Sequence, residues 1–166
     1  WWPLVLTTNY DTLFRDAFNQ RHHRAKHDGD AIAAVGRSPA DCHAVLAALG
    51  SPSRPLLWAL QGFLGTGLHG DDLGEEVVLG YEQYRRASLE NTGFRSAFTE
   101  VYRNRSLLFA GAGLGEEYFR SLFGESIVRL GTTQHAHCAL VNAADLQSDA
   151  PWFMHTRMNI IVLMYR

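Results

Sequence analysis

The feature that most constrains this chain is an alternation. Short apolar, β-branched runs pass through a tight polar or glycine-containing turn into segments with apolar residues at helical spacing. Leu4-Val5-Leu6-Thr7-Thr8 leads to Asp11 and then to Leu13, Phe14, Ala17 and Phe18. Ser106-Leu107-Leu108-Phe109-Ala110 leads through Gly111-Ala112-Gly113-Leu114-Gly115 to Tyr118, Phe119, Leu122 and Phe123. Pro55 to Leu60, Glu76-Val77-Val78-Leu79, His137 to Val141 and Asn159 to Tyr165 are further predicted strands. A helix is expected from Ser38-Pro39-Ala40-Asp41, because Ser38 can cap it, Pro39 suits the first turn and Asp41 complements the dipole; Gly50 and Pro52 end it. Tyr81 to Arg105 supplies two helical segments joined near Asn91-Thr92-Gly93, and Trp152 to Met158 a short one. Asn19 to Gly36 reads as a frayed helix end and an exposed loop, and Gly62 to Gly74 as a long glycine-rich loop. Strands alternating with helices predict an α/β, Rossmann-like, doubly wound and mostly parallel sheet with helices on both faces. Such sheets bind ligands at the carboxyl ends of their strands.

A length of 166 residues and a hydrophobic content of 46% suit one domain, taken as residues 1–166, with a single core. The formal net charge of -2 provides no basic field for nucleic acid or an anionic membrane. Cys42 and Cys138 stand far apart, which excludes a disulfide framework and a four-cysteine zinc site; no metal is expected, and a reducing cytoplasm is the expected compartment. No apolar run is long enough to cross a bilayer. Trp1-Trp2-Pro3-Leu4-Val5-Leu6 enters a strand without a polar lead-in, so the expectation is a start in mid-fold, with upstream residues belonging to the same protein.

Thr7-Thr8-Asn9-Tyr10-Asp11 sits where a strand ends and a helix begins. Its hydroxyls, amide and carboxylate could hydrogen-bond a ribose, or Asn9 and Asp11 could form the turn and cap the helix. This run is similar to the signature of the bacterial sirtuin-like NAD-hydrolase domains, whose deacylase relatives carry a comparable Thr-x-Asn-x-Asp. Later segments fall in the order that family shows. Leu57-Trp58-Ala59-Leu60-Gln61-Gly62 resembles its strand ending in Leu-His-Gly, and Val77-Val78-Leu79-Gly80-Tyr81-Glu82-Gln83-Tyr84 its short strand and Tyr-bearing helix. Leu108-Phe109-Ala110-Gly111-Ala112-Gly113-Leu114 resembles its Phe-x-Gly-x-Ser-Leu turn, and His137-Cys138-Ala139-Leu140 and Ile160 to Tyr165 its last strands.

The resemblance implies NAD as substrate, cleaved to nicotinamide and ADP-ribose, in an effector of bacterial anti-phage defence. It places Thr7, Thr8, Asp11, Gln61, Gly62, Gly111, Gly113 and Leu114 at the cofactor, and Asn9 at the nicotinamide ribose and the attacking water. The oxocarbenium-like transition state needs fixed polar groups around the ribose more than a strong nucleophile. The family's imidazole is the expected base on a ribose hydroxyl. Here the chain departs from the pattern. Strand placement makes Gln61 the equivalent of that His, whereas the dipeptide His69-Gly70 after Leu68 points to His69 as a displaced base. Gly113 stands where the family has Ser or Thr, and Glu116 and Glu117 behind it favour a ribose contact over a phosphate contact. The family's first strand and Gly-Ala-Gly-x-Ser loop have no counterpart before Trp1.

Those departures keep a second class open, a catalytically degenerate nucleotide-binding or assembly module. A deacylase is disfavoured because the chain lacks the four-cysteine zinc ribbon. Partners implied are NAD and either further copies of the chain or a sensor domain, with no nucleic acid and no membrane. His22, His23 and His27 lack partners at metal-binding spacing and read as a solvated helix end. His137 is expected in the core, as are Phe94, Phe98 and Tyr102.

Overall fold

The computed structural model describes residues 4–22, 30–50, 53–111, 134–145 and 150–165, in two compact units, Trp1–Ala97 and Phe98–Arg166. The first unit contains β1 (Leu4–Thr7), α1 (Leu13–His22), β2 (Ala33–Val35), α2 (Pro39–Gly50) and β3 (Leu56–Ala59). A 3-10 turn (Leu73–Glu76) follows, then α3 (Tyr81–Tyr84), which runs into a π-helical stretch (Arg85–Glu90). Helix α4 (Thr92–Asn104) begins in this unit and ends in the second. The second unit adds β4 (Leu108–Ala110), β5 (His137–Asn142), α5 (Ala150–Met158) and β6 (Ile160–Tyr165).

The fold is α/β, with parallel sheets flanked by helices in the Rossmann manner. The described strands form two three-stranded sheets, ordered β1-β3-β2 and β4-β5-β6, and every pairing is parallel. In the first sheet Leu57 stands beside Val5 and Ala34, and Trp58 beside Leu6 and Val35. Central β3 is buried along its whole length, which explains its continuous apolar run. One face of the sheet gives Leu57, Ala59 and Ala34 to a cluster with Ile32, Phe63 and Leu73, against which Val5 and Phe18 pack. From the other face Trp58 meets the edge of Phe94 at 5.4 Å between centroids, and its indole N–H donates to the Gly36 carbonyl at 2.8 Å. Helix α2 lies against all three strands.

Two sequence expectations need correction. Asn19 to Gly36 is not wholly an exposed loop, because Ala33–Val35 is a buried edge strand and Ile32 is fully buried. Three residues are too few to show a period among charged neighbours. The strand expected at Glu76–Leu79 is absent. Leu73–Glu76 winds into the 3-10 turn capped by Asp72, whose Oδ1 accepts from Gly74 N at 2.9 Å, and Val78 N makes a single bond to Gln61 O instead of a ladder. In the second unit the expected core positions hold: Phe98 and Tyr102 are buried, as is His137, and Phe94 is buried in the first.

Candidate functional site

The turn after β1 is built from its own side chains. Thr7 Oγ1 accepts from Asn9 N at 3.0 Å, and Asp11 Oδ1 accepts from Leu13 N at 3.0 Å, capping α1. The local reading of Asp11 as a helix cap is therefore realised. Asn9 is exposed, while Thr7 and Thr8 are half-buried. Tyr10 turns the other way. Its hydroxyl reaches Gln61 Oε1 at 3.1 Å and also the Val78 carbonyl, so one phenolic proton serves two acceptors. The Tyr10 carbonyl accepts from Leu64 N at 2.7 Å, which ties this turn to the chain leaving β3.

That chain enters the site through Leu60, whose N–H donates to the Thr7 carbonyl at 2.9 Å. Gln61 follows and is buried, with its amide against Tyr10. Gly62 has φ of 95°, and a Cβ there would lie 2.5 Å from Val77 N and Cα, so only glycine fits this bend. The glycine of the Leu-His-Gly-like segment thus has a backbone reason to be there.

An ion pair holds the opposite wall. Arg37 is buried; its guanidinium donates to the Leu60 carbonyl at 2.8 Å and to the Glu76 carbonyl, and its Nε lies 3.6 Å from Glu76 Oε2. The same carboxylate oxygen accepts from Arg37 N at 2.7 Å. Burial lowers the Arg37 pKa from its ordinary value, against the pull of Glu76, and burial raises that of Glu76. In both groups desolvation outweighs pairing, as is usual for a buried ion pair. Its role is to fix the end of β3 and the 3-10 turn relative to Arg37 at the end of β2. Neighbouring Cys42 is buried and its thiol is pushed up to about 11 by burial first and then by Asp41 and Glu76, so it is an unreactive thiol.

His69 stands on the glycine-rich loop, which is closed by Gly67 N to Asp71 O at 2.8 Å and Leu73 N to Gly65 O at 3.1 Å. Leu68 N donates to the Ala34 carbonyl at 2.7 Å, anchoring the loop on β2. The imidazole is about half exposed, with Nε2 3.9 Å from Asp41 Oδ1. Asp41 is fully buried in the first turn of α2. Its Oδ2 accepts from the Ser38 hydroxyl at 2.8 Å, and Ser38 Oγ accepts from Asp41 N at 3.1 Å. Oδ1 has no hydrogen-bond partner among the described residues. An oxygen so placed costs about 1–3 kcal/mol, more when charged.

Asn9 and Gln61 follow the carboxyl ends of β1 and β3, while His69, on the loop anchored at Ala34 of β2, lies beside Asp41 in the first turn of α2, the helix that follows β2. Strands are spaced about 4.8 Å apart, so β1 and β2, on either side of β3, are separated by roughly 10 Å. The family model of the SIR2-like domain matches residues 3–161. The chain belongs to the SIR2-like family. No curated protein matches it. The SIR2-like family uses NAD as its substrate. In this SIR2-like chain Gly111, with φ of 64°, ends β4 in the second unit, while Gly113 and Leu114 lie outside the described residues, as do His23 and His27. Among the described residues no cluster of three or more His, Cys, Asp or Glu is placed to hold a metal ion, and no helix is long and apolar enough to cross a membrane.

Tyr10, Arg37 and Glu76 escaped the sequence reading, and Asp41 was read only as a dipole partner. The signal available for Asp41 was Ser38-x-x-Asp41, a capping-box spacing whose acidic member can be drawn inward. Nothing local marks Arg37, whose partners come from 23 and 39 residues away.

Proposed function

We propose that this SIR2-like chain is an NAD glycohydrolase, releasing nicotinamide and ADP-ribose in bacterial anti-phage defence, with residues 1–166 forming one NAD-binding domain. The observation that carries the reading is the exposed Asn9 on a turn pinned by Thr7, beside Gln61 at the end of the central strand. A turn braced by its own hydrogen bonds offers the fixed polar groups that an oxocarbenium-like transition state requires. In this reading Asn9 orients the attacking water and the nicotinamide ribose, and Thr7, Thr8, Asp11, Gln61 and Gly62 line the cofactor. His69 is the base on a ribose hydroxyl. The C1′–N bond breaks with its electron pair leaving on nicotinamide, the water at Asn9 bonds to C1′, and that water's proton is released to solvent. A dinucleotide is long enough to cover the distance between the β1 and β2 strand ends. Further copies of the chain or a sensor domain would govern when it acts.

A buried Gln61 held by Tyr10 favours one other reading, a binding or assembly module that keeps NAD intact. Nicotinamide release and NAD binding by calorimetry, measured on the same protein and on Asn9→Ala, separate the two. Hydrolysis is expected in the unaltered chain, with a loss on the order of 10²-fold or more in Asn9→Ala. Binding without release in the unaltered chain would favour the module, and unchanged turnover in Asn9→Ala would remove Asn9 from the chemistry.

A further inference from the structure

The buried carboxylate of Asp41 has a purpose that capping does not exhaust. One oxygen is engaged by Ser38, and the other points at the loop that carries His69, with Nε2 at 3.9 Å and no donor among the described residues. The half-exposed imidazole sits on a loop tied at both of its flanks, by Leu68 N to Ala34 O and by Gly70 N to Gly67 O at 3.1 Å. We propose that Asp41 is a positioning residue for His69, holding Nε2–H toward its Oδ1 and so leaving Nδ1 as the proton acceptor on the solvent side. This rests on the hydrolase reading only for what His69 does with the proton. A carboxylate behind an imidazole sets its tautomer and orientation and supports the imidazolium once formed. The pair thereby substitutes for the imidazole that Gln61 does not provide.

The charged groups around the pair come from every side. Asp41 lies in the first turn of α2, and Arg37 precedes it; Glu76 belongs to the 3-10 turn and Asp71 to the loop of His69, and both Asp41 and Asp71 act on Glu76. The tautomer of His69 on altering Asp41 is therefore compared with that on altering Asp71.

The test is ¹H–¹⁵N NMR of the His69 ring in the full chain, across pH, for the unaltered protein, Asp41→Asn and Asp71→Asn. Asparagine keeps an acceptor oxygen for Ser38, so the cap survives. The unaltered protein is expected to show the Nε2–H tautomer, Asp41→Asn to lose that preference, and Asp71→Asn to keep it. The same tautomer in Asp41→Asn would overturn the pairing. If Asp41→Asn does not fold, Asp41→Glu restores the carboxylate: retention of the Nε2–H tautomer there supports the pair, and its loss overturns it. Nicotinamide release is the second readout. A fall in kcat of about 10²-fold in Asp41→Asn with KM within about twofold, and no additional loss in the Asp41→Asn/His69→Ala double variant, supports positioning through His69. Additive losses overturn it. Absence of any NAD cleavage with the NMR signature intact would sink the hydrolase reading and leave the pair standing, so the two failures are distinguishable.

Discussion

The two units bury polar side chains for different ends. In the first, Arg37, Asp41 and Gln61 are buried at the carboxyl rim of the β1-β3-β2 sheet, each engaged with a loop or turn that leaves a strand. In the second, His137 is buried within strand β5 itself, stacked on Tyr102 at 4.3 Å between centroids, with Nδ1 accepting from Leu107 N at 3.1 Å. Tyr102 in turn donates its hydroxyl to the Met158 carbonyl at 2.9 Å. Polar burial at strand ends costs stability and fixes loop geometry, as a ligand site demands. Polar burial at the amino-terminal start of β5 joins elements within a core. The imidazole of His137 lies in the core, that of His69 on the rim, and only the second is accessible to a substrate.

The largest stability effect expected is at the rim. Arg37→Met leaves the half-buried Glu76 without its cation and orphans two carbonyls, and should lower unfolding free energy by about 3 kcal/mol in denaturant titration. The double variant Arg37→Met/Glu76→Leu should recover part of that loss. Equal loss in both would mean that the carbonyl contacts, not the ion pair, hold the rim.

The core histidine should show itself by pH. Burial, with a smaller contribution from His135, pushes the His137 pKa from 6.5 down to about 4. The folded state therefore binds the proton less readily than the unfolded chain. The stability this group contributes is present above the ordinary histidine value and is lost as pH falls toward 4. The loss should be on the order of 3 kcal/mol, and His137→Gln should flatten that limb. Glu76 works in the opposite sense. Burial raises its pKa, so its ionised form weighs against the fold above the folded value, and that penalty is relieved on acidification. A His137→Gln protein that still lost stability as steeply would place the acid sensitivity elsewhere.

Smaller effects sharpen the rim's internal structure. Tyr10→Phe removes the hydroxyl shared by Gln61 and Val78 and should cost about 1–2 kcal/mol, with a rise in KM for NAD as Gln61 loosens. Ser38→Ala should cost about 1 kcal/mol by thermal unfolding, from the lost α2 cap.

Much of this was legible in the sequence, for reasons that differ by element. Leu4–Thr7 and Leu56–Ala59 are apolar runs long enough to read as strands, and Ser38-Pro39-Ala40-Asp41 announces α2 through its cap. The Thr7 to Asp11 turn was recognisable because its hydrogen bonds are local, two residues apart. Strand β2 was hidden by its three-residue length, and the expected strand at Glu76–Leu79 failed because Glu76 is recruited by Arg37 across 39 residues of chain. Asp41 beneath His69 was invisible for the same reason, since its meaning depends on a loop 28 residues away that returns to β2.

The most direct test compares nicotinamide release by His69→Ala and Gln61→Ala at saturating NAD. The account predicts that kcat falls on the order of 10²–10⁴-fold in His69→Ala, while Gln61→Ala changes chiefly KM. Near-complete loss in Gln61→Ala with turnover preserved in His69→Ala would contradict it and return the chemistry to the end of the central strand.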